Sequence, residues 1–151
     1  MKIEDEIKSS FKSEYHKLIV NLHLTSSRIG EYMQMEMKKH DLTGTQYNVL
    51  RILRGQNQKP ASIGLIKERM IERNSDVSRI IDRLVKKELI VRKENSADRR
   101  QKDVVISQKG LDILALIDVK DDNVMDILGH LSKKEVTDLN NLLDKTRSKN
   151  G

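Results

Sequence analysis

Val77, Ile80, Ile81, Leu84 and Val85 fall on the i, i+3, i+4, i+7, i+8 template without a miss, which fixes an amphipathic helix with one apolar stripe. Two short β-type runs follow at once, Leu89-Ile90-Val91 and Val104-Val105-Ile106, separated by the polar segment Arg92 to Asp103. A helix that feeds directly into a hairpin with a long tip is a narrow architectural choice. What precedes it narrows the choice further. Thr43 with Gln46 reads as a capping box opening a helix to about Arg54, closed by Gly55, with Tyr47, Leu50 and Leu53 inward. The segment GQNQKPAS holds the only proline and marks a turn, after which Ser62 caps a short helix carrying Ile63, Ile66 and Met70.

The chain ends are helical in pattern. Ile3, Ile7, Phe11, Tyr15, Leu18, Leu22 and Ile29 repeat mostly at steps of three, four or seven, which predicts one long amphipathic helix from near Glu4 to about residue 38. Leu111, Leu114, Ile117, Val124, Ile127 and Leu128 predict another helix. Ser132 and Glu135 form a second capping box, opening a helix that buries Val136, Leu139, Leu142 and Leu143. The predicted fold is mainly α (α+β): a winged helix-turn-helix over residues 42–106, with N- and C-terminal dimerisation helices in 1–38 and 107–151.

Composition supports a shared core. Only 36% of the 151 residues are apolar against 34% charged, and one phenylalanine, three tyrosines and no tryptophan leave few large anchors for a solitary globule. The absence of cysteine removes disulfides and thiolate metal sites. The start, MKIEDEIKSSF, lacks the apolar core of a secretion signal, and no stretch approaches the roughly 20 apolar residues of a membrane span, so a cytoplasmic location and no membrane partner are expected. The net charge of +6 is uneven: residues 62–102 hold 12 basic and 7 acidic groups, whereas 103–151 hold 7 and 9. A basic middle section suits a polyanion, although a solvated mixed-charge face has the same composition.

The helix from about Asn74 to Lys87 carries that charge in a useful way. With its apolar stripe inward, a step of about 100° per residue turns Ser75, Arg79 and Lys86 away from the core and places Ser78 and Arg83 at the flanks. Small Ser75 and Ser78 permit close approach to base edges, and Arg79 can reach guanine O6 and N7 with both arms. Arg73 and Asn74, at its leading edge, complete the DNA-facing set on this element. The competing reading is an ordinary charged surface helix with Asp82 paired to Arg79 or Lys86. The hairpin favours DNA, because Arg92, Lys93, Arg99, Arg100 and Lys102 gather on its tip, where a basic finger can enter a minor groove. Asp98 serves there as a brace for Arg99 or Arg100.

The run DRRQKDVVISQKG, Asp98 to Gly110, resembles the wing signature of the MarR family, with Ile106 and Ser107 at positions usually Leu and Thr. Leu42-Thr43 with Gln46 and Leu50 resembles the family's second helix, and VSRIIDRLVKKELI, Val77 to Ile90, resembles its recognition helix and following strand. Ile71 departs from the pattern at a turn position that is often glycine. The resemblance implies a homodimer joined by its first and last helices, binding to a pseudo-palindromic operator in double-stranded DNA, and repression relieved by a small-molecule effector. For DNA contacts it carries over Ser75, Ser78 and Arg79, with Arg99 or Arg100 from the wing.

Other chemistry is poorly represented. His16 and His23 lie seven apart on one helix, with His40 and His130 elsewhere, but no HExxH or cysteine cluster supports a metal site. Met33 and Met37 suit gap-filling in a core or seam. No nucleophile elbow, glycine-rich phosphate loop or framed carboxylate pair appears, so no catalytic residue, cofactor or metal is expected. The alternative function is a non-catalytic protein-interaction module built on a winged helix.

Overall fold

Capping chemistry sets most element boundaries. The computed structural model describes residues 2–95, 98, 102–118 and 127–148, in two compact units, Met1–Leu114 and Ala115–Gly151. The first begins with α1 (Ile3–Ile7) and α2 (Glu14–Lys38), which corrects the expectation of one continuous helix. The apolar spacing runs straight through the break, but Lys8 takes a left-handed φ of 50° and Ser13 caps α2 by accepting the His16 N–H at 3.2 Å. Lys17 bridges the two helices to Glu4 at 2.5 Å, and its hydrogen bond holds the Glu4 carboxyl below the ordinary carboxylate range.

Helix α3 (Gly44–Arg54) opens on the expected capping box: Thr43 Oγ1 accepts the Gln46 N–H at 3.2 Å, and Gln46 Oε1 accepts the Thr43 N–H at 3.1 Å. Its inner face, Tyr47, Val49, Leu50 and Leu53, is the centre of the core, and α3 packs on α2, α4 (Ile63–Arg69) and α5 (Val77–Lys86). Ile66 from α4, and Ile81 and Leu84 from α5, are fully buried there.

Strands β1 (Ile90–Glu94) and β2 (Lys102–Ile106) pair antiparallel, with Ile90 opposite Ile106 and Glu94 opposite Lys102. The ladder therefore runs further outward than the β-branched runs suggested. Arg92, Lys93 and Lys102 sit in paired strands rather than on the tip, a correction that confines the tip to 95–101. Backbone pairing explains the difference, since an exposed two-stranded ladder accepts charged side chains on its open face. Ala61, directly after Pro60, adds a third contribution: it exchanges two 2.9 Å hydrogen bonds with Val104 and covers the outer edge of β2.

The exit from the wing is held by Ser107. Its hydroxyl donates to the Glu88 carbonyl at 2.7 Å and accepts the Gly110 N–H at 3.0 Å, so one side chain ties the start of α6 (Gln108–Asp118) to the end of α5. Ser107→Ala removes both bonds and is expected to cost about 1–2 kcal/mol, read as a lower urea midpoint at unchanged slope.

In the second unit, α7 (Lys133–Arg147) starts on the Ser132–Glu135 capping box. The Ser132 hydroxyl and backbone N–H hold the Glu135 carboxyl below its ordinary value, so the cap persists above the usual carboxylate range and is lost as pH falls through the lowered value. Val136, Leu139 and Leu142 are exposed on this helix and Leu143 is half-buried. The single chain therefore leaves this apolar face open. The α2 stripe is similarly open, with Tyr15 82% and Ile19 57% exposed.

Candidate nucleic-acid interface

The surface that could meet a polyanion is built from α4, the 70–76 turn, α5 and the β1–β2 wing. Position Val77 is the first helical residue of α5, three later than the apolar pattern was extended. Asp76 is the reason: its side chain accepts the Arg79 N–H at 3.2 Å and caps the helix. A cap-forming residue immediately before the first periodic apolar position is a readable signal, but the start near Asn74 was read without it. Arg73, Asn74 and Ser75 consequently lie in the turn rather than on the helix. Ser75 is half-buried, and its N–H donates to the Glu72 carbonyl at 3.2 Å, while Arg73 and Asn74 stay exposed.

Along α5 the division of faces is as expected. Val77, Ile81 and Leu84 are buried and Ile80 and Val85 half-buried, whereas Ser78, Arg79, Asp82, Arg83 and Lys86 are exposed. The guanidinium groups of Arg79 and Arg83 and the Lys86 ammonium form no ion pair or hydrogen bond with any described residue. Asp82, the residue that could have neutralised this face, turns instead to Arg92 of β1. That ion pair has a double effect: it docks the wing beside the helix and leaves Arg79 uncompensated. Both partners are about half exposed, so the bridge is worth at most about 1 kcal/mol and acts as a guide rather than a clamp.

The turn before α5 is pinned from a distance. Asn48, on α3, accepts the Ile71 N–H through Oδ1 at 3.0 Å. Ile71 itself is 85% exposed, so what matters at this position is its backbone N–H and not its side chain. Sequence reasoning missed Asn48, because a side-chain bond spanning 23 positions leaves no local pattern.

On the wing, Lys93 and Lys102 are exposed, and Lys102 pairs with Glu94 at 3.3 Å, which discounts its charge. Asn95 organises the tip: its Nδ2 donates to Asp103 Oδ2 at 2.9 Å, and its Oδ1 accepts the Asp98 N–H at 2.9 Å. Asp103 is 9% exposed, and its other carboxylate oxygen has no hydrogen-bond partner among the described residues. Neither Asn95 nor Asp103 was anticipated, although Asn ahead of a turn is a recognisable former. Arg99 and Arg100, and with them the proposed bracing by Asp98, lie outside the described residues.

The MarR family model matches residues 42–102, the span from the α3 cap to the start of β2. The chain is 28% identical over 123 residues to the HTH-type transcriptional regulator MhqR of Bacillus subtilis (strain 168), covering 80% of this chain and 82% of that protein. Among solved structures, a cysteine-substituted MarR from E. coli complexed with operator DNA superposes with a TM-score of 0.78 at 23% identity, covering 93% of this chain and 100% of that one. Bordetella bronchiseptica BpsR, a protein whose DNA binding is regulated by 6-hydroxynicotinic acid, gives a TM-score of 0.73 at 22% identity, covering 87% and 99%. These two likenesses show a shared fold.

Proposed function

We propose that this chain is a DNA-binding transcriptional regulator of the MarR family, similar over residues 42–102 to that family's model, and that it acts as a cytoplasmic, non-catalytic repressor, binding a pseudo-palindromic operator as a homodimer until a small organic molecule releases it. The observation that carries this reading is the exposed face of α5, where Ser78 stands beside Arg79 and Lys86, two cations without partners among the described residues. Such a face can enter a major groove, with the hydroxyl near base edges and the cations on guanine or phosphate. Ser78 and Arg79 read bases, Arg83 and Lys86 neutralise phosphates, and Arg73, Asn74 and Ser75 approach the backbone from the turn. Lys93 and the tip arginines Arg99 and Arg100 serve the flanking minor groove.

The dimer is assigned to residues 1–38 and 107–151, and the DNA-binding domain to 42–106. Support comes from the open apolar stripes, Tyr15, Leu18, Ile19 and Leu22 on α2 and Val136, Leu139 and Leu142 on α7, which are larger than isolated surface residues and need a cover. Two recognition helices then fall about 34 Å apart, one duplex turn. No described helix is long and apolar enough to cross a membrane. Sedimentation velocity with an operator duplex tests the assembly: a dimer at micromolar protein, binding one dimer per site, is expected. A monomer that binds DNA singly contradicts it.

A further inference from the structure

We propose that Asp103 is a positioning residue for the wing: its buried carboxylate orients the Asn95 amide, which in turn sets how the tip meets DNA; this rests on the DNA-binding reading above. Asp103 is out of keeping with its surroundings. It stands beside Val104 and Val105 in β2, where aspartate is a poor strand former. It shares a face of the ladder with Val91, Lys93 and Val105, whereas Ile90, Val104 and Ile106 on the opposite face enter the core. Asp103 is nevertheless only 9% exposed, and one of its two carboxylate oxygens has no hydrogen-bond partner among the described residues. A half-satisfied buried carboxylate costs stability that a valine there would not. Lys93, directly across the ladder, makes no ion pair with it, so charge neutralisation does not account for it either.

What the carboxylate does is remove a choice. An amide side chain turned by half a revolution exchanges a donor for an acceptor, and both orientations fill the same space. A carboxylate only accepts, so Asn95 must present Nδ2 to Asp103 Oδ2, at 2.9 Å. Oδ1 is thereby aimed at the Asp98 N–H, which donates to it at 2.9 Å. Asp103 thus reaches the Asp98 backbone, inside the tip, through one intermediate side chain. The last rung of the ladder, Glu94 with Lys102 at 3.3 Å, is a poor substitute, because both side chains are about half exposed or more and such a pair contributes little.

Asp103 puts a negative charge on the element that approaches phosphates, and simple electrostatics counts that against DNA binding. Positioning predicts the opposite sign. Without its acceptor the Asn95 amide can turn over, Asp98 loses its backbone restraint, and the tip must be ordered at an entropic cost when it enters a groove. The two accounts therefore disagree about Asp103→Ala, which removes a negative charge and the acceptor together.

Variants of the full chain separate them, read by DNA binding across a salt series and, without DNA, by exchange of the Asp98 amide proton in NMR spectra. Asp103→Ala is expected to weaken operator and random duplex alike, roughly fivefold, with a salt slope shallower by about 0.9, and to speed Asp98 exchange at least about tenfold. Asn95→Asp alone sets two carboxylates face to face and has the same effect. Combined with Asp103→Asn it restores a fixed pair in reverse at the parent's net charge: the amide at 103 donates to the carboxylate at 95, and both DNA binding and Asp98 protection return to within about twofold of the parent. This exchanged pair decides the matter even if Asp103→Ala folds poorly, which its Tm reports. The proposal is overturned if folded Asp103→Ala binds DNA as tightly as the parent or more tightly, if Asp98 exchange is unchanged, or if the exchanged pair stays as weak as Asn95→Asp. Faster Asp98 exchange in a chain that binds neither duplex would overturn the regulator reading instead and leave the link from Asp103 through Asn95 to Asp98 standing.

Discussion

Arg79→Ala will abolish most of the preference for operator over random duplex while leaving the fold intact. The guanidinium makes no ion pair or hydrogen bond with a described residue, and the α5 cap uses the Arg79 backbone N–H instead, so the melting temperature stays near that of the parent. What is lost is a two-armed contact to a base, worth about 1–3 kcal/mol of discrimination per half-site, and the homodimer loses it twice. Arg100→Ala provides the contrast. A wing arginine that neutralises a phosphate weakens operator and random DNA alike and lowers the salt slope by about 0.9. Competition binding at two salt concentrations separates these outcomes. Equal, small effects of both substitutions would remove the division of labour between helix and wing.

Gly110→Ala will destabilise the protein, where an alanine at an open helical position would stabilise it by up to about 1 kcal/mol. A Cβ at Gly110 falls 2.3 Å from the Leu89 carbonyl oxygen and 2.8 Å from Ile106 Cγ1. The first obstacle is backbone and cannot rotate aside. That carbonyl also accepts the Ser107 N–H at 3.0 Å, and Leu89 and Ile106 are buried, so any shift moves the root of both wing strands together. Overpacking of this kind costs about 3 kcal/mol, or roughly 6–12 °C in Tm for a chain of this size. Gly64→Ala is the control: its Cβ meets only Ser62 Oγ, at an ordinary 3.8 Å. Thermal melts at equal protein concentration should separate the two variants. A Gly110→Ala melt at or above the parent's would mean that α6 does not start against the wing root as described.

Local chemistry was the most legible part of the sequence. Both capping boxes, at Thr43 and Ser132, occur as read, because a cap depends on residues three apart and on nothing distant. The α5 stripe was equally plain, with Val77, Ile81 and Leu84 buried. Distant or conformational causes were not legible. Lys8 in a left-handed turn splits the first helix although Ile7, Phe11 and Tyr15 keep helical spacing across it. Composition read Arg92 to Glu94 as loop, whereas backbone pairing to 102–104 makes them strand. Asn48 and Ala61 act through partners far along the chain. For Val136, Leu139 and Leu142 the spacing predicted the helix correctly but not what covers it, since helical periodicity is the same whether an apolar face meets its own chain or another.

The cleft at the end of α5 shows the same limit. Arg83 and Lys86 were singled out from the α5 pattern as DNA-facing, but Lys38 and Leu42 join them only once α2 and α3 are folded against that helix. Sequence spacing orders residues on one element, and a site made from three elements needs the packing between them.

The central claim is that this protein recognises a particular duplex through the exposed face of α5. Fluorescence anisotropy of the full chain with DNA from upstream of its own gene and with random duplex, across a salt series, tests it directly. The predicted result is tighter binding to the upstream DNA by at least about 1,000-fold, with a steep fall as salt rises. Equal affinity for the two duplexes, or no binding to either at low salt, would contradict it.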